Sequence, residues 1–600
     1  MRRSLSPLLV VMLLAAGCVA KTGSPPLQSP GSGNATATAA TDSGSNQFIH
    51  EYYLRRPAAG SALGLHEFDG QYRLPTRAEI RSECERLRAL RIQLAAELPS
   101  LQPGSRRHGE VRLLQTVIEG DLLQLEGERA AERSPMFYLN SLDVSLYLKR
   151  DWKPLVERVR DLTSILSQSP AVFSVARNQL EPILPKPWVE TAIEIADATA
   201  SFLDHEVLTA GRECGNAEVA EKFSAVVKAA AREHREFAAW LRTHRLPAAT
   251  PEFAIGRDFY QRLLGTELID LTPEKILEIG MRELKAETAR FEAAAREVDP
   301  TRPAAEVFKR IQNDHPTADH LISDTRRNLE AIRQFVVDHR ILTLPSEVRA
   351  QVTETLPPFR ATSFASMDTP GPFEKKATQA YYYLTPVEPT WPPAQQEEWL
   401  TAFNYYTTDV VSIHEAYPGH YVQFLALNAS DASPVQKAFY SYAFAEGWAH
   451  YSEQMLLTEG FGQPADPAHA TAQERVRGAS YRLAQSDEAL LRVCRLCASV
   501  QMHCFGMSLD DATKFFVENC HYEAKPARQE AIRGTFDPGY CFYTLGKLQF
   551  LKLREDWKRQ EGAAYSLQRF HDQVLSHGGP PLRLLRETML KDPTQHGTLF

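Results

Sequence analysis

The chain has 600 residues, of which 43% are hydrophobic and 24% charged, the composition of an ordinary globular protein with ample material for a core. Its formal charge is −8, and a chain without the first 17 residues, which hold Arg2 and Arg3, would carry −10. This acidic balance argues against nucleic acid as a partner.

The N-terminus has the features of an export signal. Arg2 and Arg3 precede an apolar run, Leu8 to Ala16, that is too short to span a membrane but right for a signal-peptide core. The run leads into Leu14-Ala15-Ala16-Gly17-Cys18, which resembles a bacterial lipobox. We therefore predict a lipoprotein signal peptide over 1–17 and lipidation of Cys18; the alternatives are a plain secretory signal and a chance apolar start.

A tether and a folded body follow the signal. Residues 18–46 are rich in Ser, Gly, Thr, Ala and Pro without apolar periodicity, which is typical of a flexible linker. The body is predicted over 47–600, with a helical part at 47–340 and a second part at 341–600. Val19, rather than aspartate, follows Cys18, which favours attachment to the outer membrane facing the periplasm, with the lipid anchor as the membrane contact.

Most of the body has the apolar spacing of helices. Thr272 is a plausible N-cap and Pro273 a first helical residue, followed on one face by Leu277, Met281, Leu284, Thr288 and Phe291. Similar patterns predict helices over about 74–98, 107–130, 150–167, 188–210, 216–243 and 304–340. The best strand candidate is 377–384, which ends in Tyr381-Tyr382-Tyr383-Leu384. The predicted fold is mainly α, with a small β element before a later helix whose apolar face leads into His414.

The most informative motif is His414-Glu415-Ala416-Tyr417-Pro418-Gly419-His420. In the H-E-x-x-H motif of metallopeptidases, one helical turn places both histidines on a zinc ion, and the glutamate is the general base. Here the second histidine comes two residues late, and an unbroken helix would turn it roughly 240° away. Pro418 and Gly419 could allow a local bulge that returns His420 to the metal. The alternative is a helix that ends at Pro418, with His420 in a capping or core role.

A third ligand is predicted on the next helical segment, 434–457. That segment is rich in aromatic residues, yet Glu446, His450 and Glu453 form one narrow stripe on it. Carboxylates are costly to bury without a partner, and a divalent cation is such a partner. Glu446, 32 residues after His414, is the candidate; the alternative is a stripe that faces water.

Together these motifs resemble a known family. The seven-residue motif, followed by Phe444-Ala445-Glu446-Gly447-Trp448-Ala449 and Tyr451-Ser452-Glu453, is similar to the bacterial family catalogued as domain of unknown function 885. That family is largely helical and is itself similar to zinc peptidases of the thimet oligopeptidase and Taq carboxypeptidase kinds. The closing pattern also fits: Arg533, Pro538-Gly539, Tyr543, Gly546-Lys547-Leu548, Arg569-Phe570-His571-Asp572, Leu575, Gly578, Pro581 and Leu582.

The resemblance implies a helical zincin-like peptidase with Zn²⁺ held by His414, His420 and Glu446. Glu415 would activate a water and pass its proton to the leaving amine. A second donor is needed for the oxyanion; Tyr543 is the first choice and His503 the second, each with a structural role as the alternative. The chain departs from the family pattern at two positions, where Ser499 replaces an aspartate and Tyr540 replaces a glutamine. If the aspartate orients the histidine four residues later, its absence weakens the case for His503.

One further prediction depends on this interpretation. In H-E-x-x-H peptidases an edge strand beside the motif commonly pairs with extended substrate, so Tyr382 and Tyr383 are predicted to bind it; the alternative is a hairpin that buries the tyrosines.

Cys494 and Cys497 form a C-x-x-C, but within a helical pattern we predict buried apolar roles for them rather than a redox or zinc site.

The sequence thus predicts a zinc-dependent, lipid-anchored peptidase of the cell envelope. A non-catalytic binding or scaffold protein with a structural metal is the rival from another class. Hydrolysis of esters or cell-wall amides by the same site is a third possibility. The glutamate next to the first histidine favours an enzyme, because a structural metal site has no use for a base there.

Overall fold

The computed structural model describes residues 45–355, 360 and 364–600. It is 70% helix and 3% strand, so the prediction of a mainly α fold with a small β element is confirmed. The signal peptide, Cys18 and the tether up to residue 44 lie outside the described residues. Within the described ranges, no helix is both long and apolar enough to cross a membrane.

The first half of the described chain is helical. Residues 45–53 are helical. The helices that follow are Pro57–Ala62, Arg77–Glu97, Arg106–Leu122, Ala130–Arg133, Pro135–Asn140, Leu146–Lys149, Leu155–Leu166, Ser169–Gln179, Lys186–Phe202, Leu208–Glu213, Ala217–Trp240, Arg257–Thr266, Pro273–Val298, Ala304–Ile311 and Leu321–Asp338. The helix predicted over 304–340 is therefore two helices, and Pro316, which cannot donate a backbone hydrogen bond, lies in the break between them.

The second half carries three strands and the remaining helices. The strands are β1 (Gln351–Glu354), β2 (Ala365–Asp368) and β3 (Tyr381–Leu384). The helices are Pro393–Ala402, Tyr405–Glu415, His420–Ala429, Pro434–Ala438, Tyr442–Thr458, Ala472–Cys504, Leu509–Cys520, Ala524–Phe536, Phe542–Glu561, Leu567–Ser576 and Leu582–Met589. We call Tyr405–Glu415 the motif helix, Tyr442–Thr458 the Glu446 helix, Ala472–Cys504 the long helix and Phe542–Glu561 the Tyr543 helix.

The helix after Thr272 is confirmed, but its buried face differs from the prediction. The Thr272 side chain accepts the N–H of Lys275, as an N-cap should. Met281, predicted to be inside, is 45% exposed. The face is turned toward Gly280, where a Cβ would lie 2.9 Å from Cys497 Sγ on the long helix. Because a glycine permits this close approach, the two helices pack along that side.

The sheet contradicts the predicted edge strand. Its order is β1-β3-β2, with β1 parallel and β2 antiparallel to β3. The tyrosine-rich strand is thus central, and both its edges are occupied by neighbours. A substrate cannot pair with it, because the free edges of this sheet belong to β1 and β2.

The main core joins the sheet to the motif helix, the Glu446 helix and the Tyr543 helix. A second core lies among the helices of 131–241. Cys494 and Cys497 are fully buried free thiols in the long helix, so the predicted apolar role of the C-x-x-C is confirmed.

Candidate metal centre

The offset between the two histidines is accommodated by a break between helices. The motif helix ends at Glu415, a new helix begins at His420, and the Tyr417–Pro418 peptide bond between them is cis. The chain therefore turns around the insert, residues 416–419, rather than continuing as one bulged helix. The buried indole of Trp448 donates to the carbonyl of Pro418 at 2.9 Å and holds the insert against the Glu446 helix.

Gly419 is required by the closeness of this turn. Its N–H donates to the carbonyl of Ile413 at 3.0 Å, and a Cβ on it would lie 1.7 Å from the carbonyl oxygen of His414. No side chain fits in that space, so the sequence Pro-Gly-His allows the second imidazole to reach the first.

We predict that Gly419→Ala displaces His420 and lowers both metal content and thermal stability. The control is Gly109→Ala, because Gly109 lies within a helix where a Cβ would meet nothing within 4 Å. That change should stabilise the chain by about 0.5–1 kcal/mol. Calorimetry and metal analysis of both variants are the measurements; equal behaviour of the two would contradict the steric argument.

The turn brings three side chains together. His414 Nε2 lies 3.4 Å and His420 Nε2 3.5 Å from Glu446 Oε2, and the ligand atoms of the three residues all lie within 4.8 Å of one another. The two imidazoles are nearly perpendicular, at 88°, with centroids 4.9 Å apart. In the described part of the chain this is the one group of three or more such residues with metal-ligand spacing.

These distances fit a tetrahedral metal ion. Ligands about 2.0–2.1 Å from zinc at tetrahedral angles lie roughly 3.3 Å from each other. The separations of 3.4 and 3.5 Å from Glu446 Oε2 match this value. Among the described residues, this buried oxygen and His420 Nδ1 have no hydrogen-bond partner. Two imidazoles and one carboxylate are also a donor set that zinc prefers, with a position left for water.

Glu453 orients the first imidazole. Its Oε1 lies 2.7 Å from His414 Nδ1, so that nitrogen donates to the carboxylate and Nε2 faces Glu446. The Oε2 atom of Glu453 lies 3.0 Å from His450 Nδ1. The guanidinium of Arg492 lies 3.2 Å from Oε1. Glu453 and His450 are almost fully buried, so the alternative in which the stripe faces water is wrong for these two residues.

The charged side chains of this cluster shift one another's pKa values. Burial opposes the charged form of His414, but the carboxylates of Glu446 and Glu453 outweigh it and raise the pKa to about 9. Burial would raise the pKa of Glu446, yet the imidazoles of His414 and His420 hold it well below its usual range. The pKa of Glu453 is likewise lowered, because Arg492 and His450 outweigh burial. The carboxylates therefore stay ionised, as metal ligands and their supports must.

Glu415, the candidate base, lies at the end of the motif helix against the sheet. Its Oε2 accepts the N–H of Met367 at 3.0 Å, so that N–H points away from β3. Strand β2 is thus the edge that faces the motif. Its free edge, rather than that of the tyrosine-rich strand, lies beside the candidate base.

Tyr543 reaches the same centre through a close helix contact. A Cβ on Gly447 would lie 2.5 Å from Gly546 Cα, so these glycines let the Glu446 helix and the Tyr543 helix touch backbone to backbone. The Tyr543 ring then lies nearly parallel to that of His414, with centroids 6.4 Å apart.

The Tyr543 phenol keeps its proton at neutral pH. Burial and the charge of Glu446 raise its pKa to about 12, although Arg533 and Arg495 lower it. Arg495 lies 5.4 Å from the ring centroid. The structure thus places the first-choice donor next to the candidate ligands, with a hydroxyl that can donate.

His503 is not brought to the centre. It lies 11 residues beyond Arg492 on the long helix, a distance of about 16 Å along the axis. Its Nε2 donates to the carbonyl of Gly534 at 2.8 Å, and its Nδ1 accepts the N–H of Ile255 at 3.4 Å. Both nitrogens are thus occupied by backbone groups, and the structure supports the alternative role of a buried structural histidine.

The two departures from the family pattern lie in the same structural region. Ser499 donates to the carbonyl of Pro538 at 2.8 Å and shares a hydrogen bond of 2.9 Å with the Tyr260 hydroxyl. Tyr540 is fully buried. The two hydrogen bonds of Ser499 do not involve the three candidate ligands.

We predict that His503→Gln changes acid stability but not the chemistry. Burial lowers the pKa of His503 to about 4, whereas an unfolded histidine titrates near 6.5. Its stabilising contribution is complete above pH 6.5 and is lost as pH falls toward 4, by about 1.4 kcal/mol per pH unit. Denaturant unfolding at pH 6.5 and 5 should show about 2 kcal/mol more loss in the natural chain than in the variant. Loss of hydrolysis in a folded variant would instead make His503 catalytic.

Tyr382 and Tyr383, predicted to bind an extended substrate from an edge strand, lie on the central strand of the sheet. Tyr382 is fully buried, and its hydroxyl shares a hydrogen bond of 3.1 Å with Ser412 on the motif helix. Tyr383 is only 7% exposed. Tyr382 thus joins the sheet to the motif helix, and both side chains are buried, as in the alternative of a hairpin that buries the tyrosines.

Comparisons with known proteins agree with the fold. The model of the family described as "Bacterial protein of unknown function (DUF885)" matches residues 57–589. A comparison with curated proteins finds no match. The similar solved structures include a protein from Shewanella oneidensis described as a "putative lipoprotein of unknown function", with 22% identity over 91% of this chain and 99% of that one and a TM-score of 0.74.

A second solved structure has the same architecture. It is described as the "putative lipoprotein from Colwellia psychrerythraea", with 17% identity, coverage of 91% of this chain and 97% of that one, and a TM-score of 0.71. At these identities the similarity shows the fold alone.

Proposed function

The chain belongs to the bacterial family DUF885, and we propose that it is a zinc-dependent hydrolase that cleaves peptide bonds. The observation that carries the proposal is the pair of separations from Glu446 Oε2 to His414 Nε2 and His420 Nε2, 3.4 and 3.5 Å, which match tetrahedral zinc. A further support is the carboxylate of Glu415, which directly follows the first imidazole in the chain.

A zinc ion at this site would act on both the water and the scissile carbonyl. Zn²⁺ held by these three side chains would lower the pKa of a water and polarise the scissile carbonyl. Glu453 keeps the first imidazole in the tautomer that leaves Nε2 free.

The protein side chains move the protons. Glu415 takes the proton of the attacking water and delivers it to the leaving amine, which is general base and then general acid catalysis. The Tyr543 hydroxyl, protonated at neutral pH, donates to the oxyanion that forms on the former carbonyl. An extended substrate would lie along β2, whose Met367 N–H already contacts the base.

We also propose that the protein is held in the cell envelope by a lipid on Cys18, with the body facing the periplasm from the outer membrane. The lipobox-like sequence before Cys18 supports this proposal. So does the description of both similar solved structures as lipoproteins. Mass spectrometry of the purified protein would show the acyl groups on the N-terminal cysteine.

Metal analysis and a peptide-cleavage screen test the enzyme proposal. We expect one zinc per chain, hydrolysis of part of a peptide library, loss of hydrolysis after a chelator and recovery when zinc is returned. Ester and cell-wall amide substrates belong in the same screen, because the metal acts on any carbonyl. Hydrolysis that persists in metal-free protein would overturn the mechanism, and zinc without hydrolysis of any substrate would favour the scaffold role.

A further inference from the structure

A groove lies along β1, at the opposite edge of the sheet from β2. Its volume is about 790 Å³. One wall is the helix Leu321–Asp338, which contributes Ser323, Arg326 and Glu330 from a single face. A further hollow of about 690 Å³ shares Arg326, Val352 and Thr353 with it, so the depression follows the strand.

The strand presents backbone groups to this groove. Gln351 and Thr355 donate their N–H groups to β3, at 2.9 and 2.7 Å. In an extended strand the groups between them, on Val352 and Glu354, point the other way, into the groove. Arg326 already donates to the carbonyl of Val352 at 3.1 Å. An edge of this kind, which has no strand paired with it among the described residues, can accept an extended peptide as an additional strand.

The arginines that line the depression outnumber its carboxylates by one. The larger hollow holds Arg326, Arg327, Arg349 and Glu330, and the adjoining one adds Arg360, Asp319 and Glu354. Arg327 pairs with Asp324, and Arg349 pairs with Glu330. Arg326 has no ion-pair partner among the described residues and lines both hollows. A carboxylate of a bound ligand would be the ion-pair partner that the Arg326 guanidinium lacks.

A buried hydroxyl in the lining also lacks a partner. Tyr417 is 2% exposed, and its hydroxyl has no hydrogen-bond partner within the described ranges. An unsatisfied buried hydroxyl costs free energy, so an acceptor that reaches it would be favoured. Tyr417 also belongs to the insert between the two histidines of the metal centre, on whose other side the ligands meet.

We propose that this groove is a second, non-catalytic site that binds an extended acidic peptide, paired with β1 and held by Arg326 and the Tyr417 hydroxyl. The bound strand would pair with the Val352 N–H and the Glu354 backbone groups. Arg326 would keep its hydrogen bond to the Val352 carbonyl and donate its remaining N–H groups to one carboxylate of the peptide. The sheet then has one edge for each site: β2 faces Glu415, and β1 faces the acidic peptide.

Peptide binding to the full chain tests this proposal without relying on hydrolysis. The background is Glu415→Gln, measured with and without a chelator, so a failure of the proposed enzyme function leaves the result intact. The probe is a fluorescent ten-residue peptide of alternating Glu and Thr, compared with its Lys-Thr counterpart by anisotropy. A third peptide carries backbone N-methyl groups at alternate residues, which blocks strand pairing and keeps the charge.

We expect the acidic peptide to bind, the basic one not to bind, and N-methylation to weaken binding at least tenfold. Arg326→Gln and Tyr417→Phe should each weaken it about five- to tenfold, while the control Arg282→Gln, which removes an exposed arginine outside the groove, should not. Equal binding of acidic and basic peptides, wild-type affinity in both groove variants, or loss of binding on chelation would overturn the proposal. If N-methylation has no effect, strand pairing is excluded and the proposal fails.

Discussion

Glu415→Gln is expected to lower peptide hydrolysis by about a thousandfold while the zinc content stays at one per chain. General base catalysis contributes about 10²- to 10⁴-fold to such reactions. An amide cannot take up the proton of the attacking water, so this contribution is lost. Glu415 is not one of the three residues with metal-ligand spacing, and its removal should leave the metal in place.

The amide should also keep the local structure. Glu415 accepts one hydrogen bond, from the N–H of Met367, and the glutamine carbonyl can accept it equally. The control is Glu398→Gln, the same change at an exposed position of the preceding helix, which should leave hydrolysis unchanged. Single-turnover rates, zinc analysis and thermal stability measured side by side separate the loss of a base from the loss of the fold.

Two results would decide against the mechanism. If the variant hydrolyses peptides at the natural rate, Glu415 is not the base. If neither the natural chain nor the variant hydrolyses any substrate, while both hold zinc, the protein is a metal-containing scaffold. The second result leaves the metal centre standing and removes only the chemistry.

The local pattern nominated the three metal-ligand candidates, and the resemblance of the paired motifs to a known family joined them into one predicted ligand set. The histidines lie six residues apart, and Glu446 lies on an amphipathic pattern that mixes carboxylates with aromatics. The form of the insert was less predictable. Pro418 and Gly419 indicated an interruption, but whether it was a bulge or two helices depended on the 1.7 Å clearance beside His414 and on Trp448, both of which arise from tertiary packing.

The sheet was the least predictable part. Each strand has only four residues, too few for alternation to show which neighbour it pairs with. The run of tyrosines in β3 identified a strand correctly, but an edge and a centre differ only in partners far along the chain. β1 lies 30 residues before β3 in register, and it closes the edge that the prediction had left open.

Glu453 and His503 show the limits of reasoning from motifs. Glu453 was visible in the sequence as part of the stripe with Glu446, but its role toward His414 became clear only from the 2.7 Å contact. His503 was chosen by family analogy, and the backbone groups of Ile255 and Gly534 occupy both of its nitrogens. A histidine in a helical pattern gives no indication of which of these environments it will meet.

Glu446→Gln is expected to remove zinc from the purified protein and reduce hydrolysis to background. The change replaces the anionic ligand by a neutral amide of the same shape, leaving two imidazoles to hold the ion. Glu446 Oε2 has no hydrogen-bond partner among the described residues, but the change removes its ion pairs with His414 and His420, so the thermal stability of the variant is measured beside its zinc content. The control is Glu459→Gln next to the end of the same helix, which loses one surface ion pair with Arg554, worth about 0–1 kcal/mol.

Glu453→Gln provides a graded comparison. The glutamine carbonyl can still accept from His414 Nδ1, but the charge that polarises the imidazole is gone, so zinc affinity should fall by about 10- to 100-fold rather than vanish. Competition with a chelating dye measures the affinities, and the zinc-dependent rise in melting temperature gives a second readout, since zinc at 100 times its Kd stabilises the fold by about 2.7 kcal/mol.

The order of the three variants tests the geometry. Glu459→Gln should bind zinc like the natural chain, Glu453→Gln more weakly, and Glu446→Gln not measurably. If Glu446→Gln retained full affinity, the separations of 3.4 and 3.5 Å would reflect the mutual attraction of two histidines and a carboxylate, and a metal would have to bind elsewhere. If Glu453→Gln bound as weakly as Glu446→Gln, the orientation of His414 would limit affinity as much as the ligand charge does, because a misdirected imidazole cannot use its lone pair.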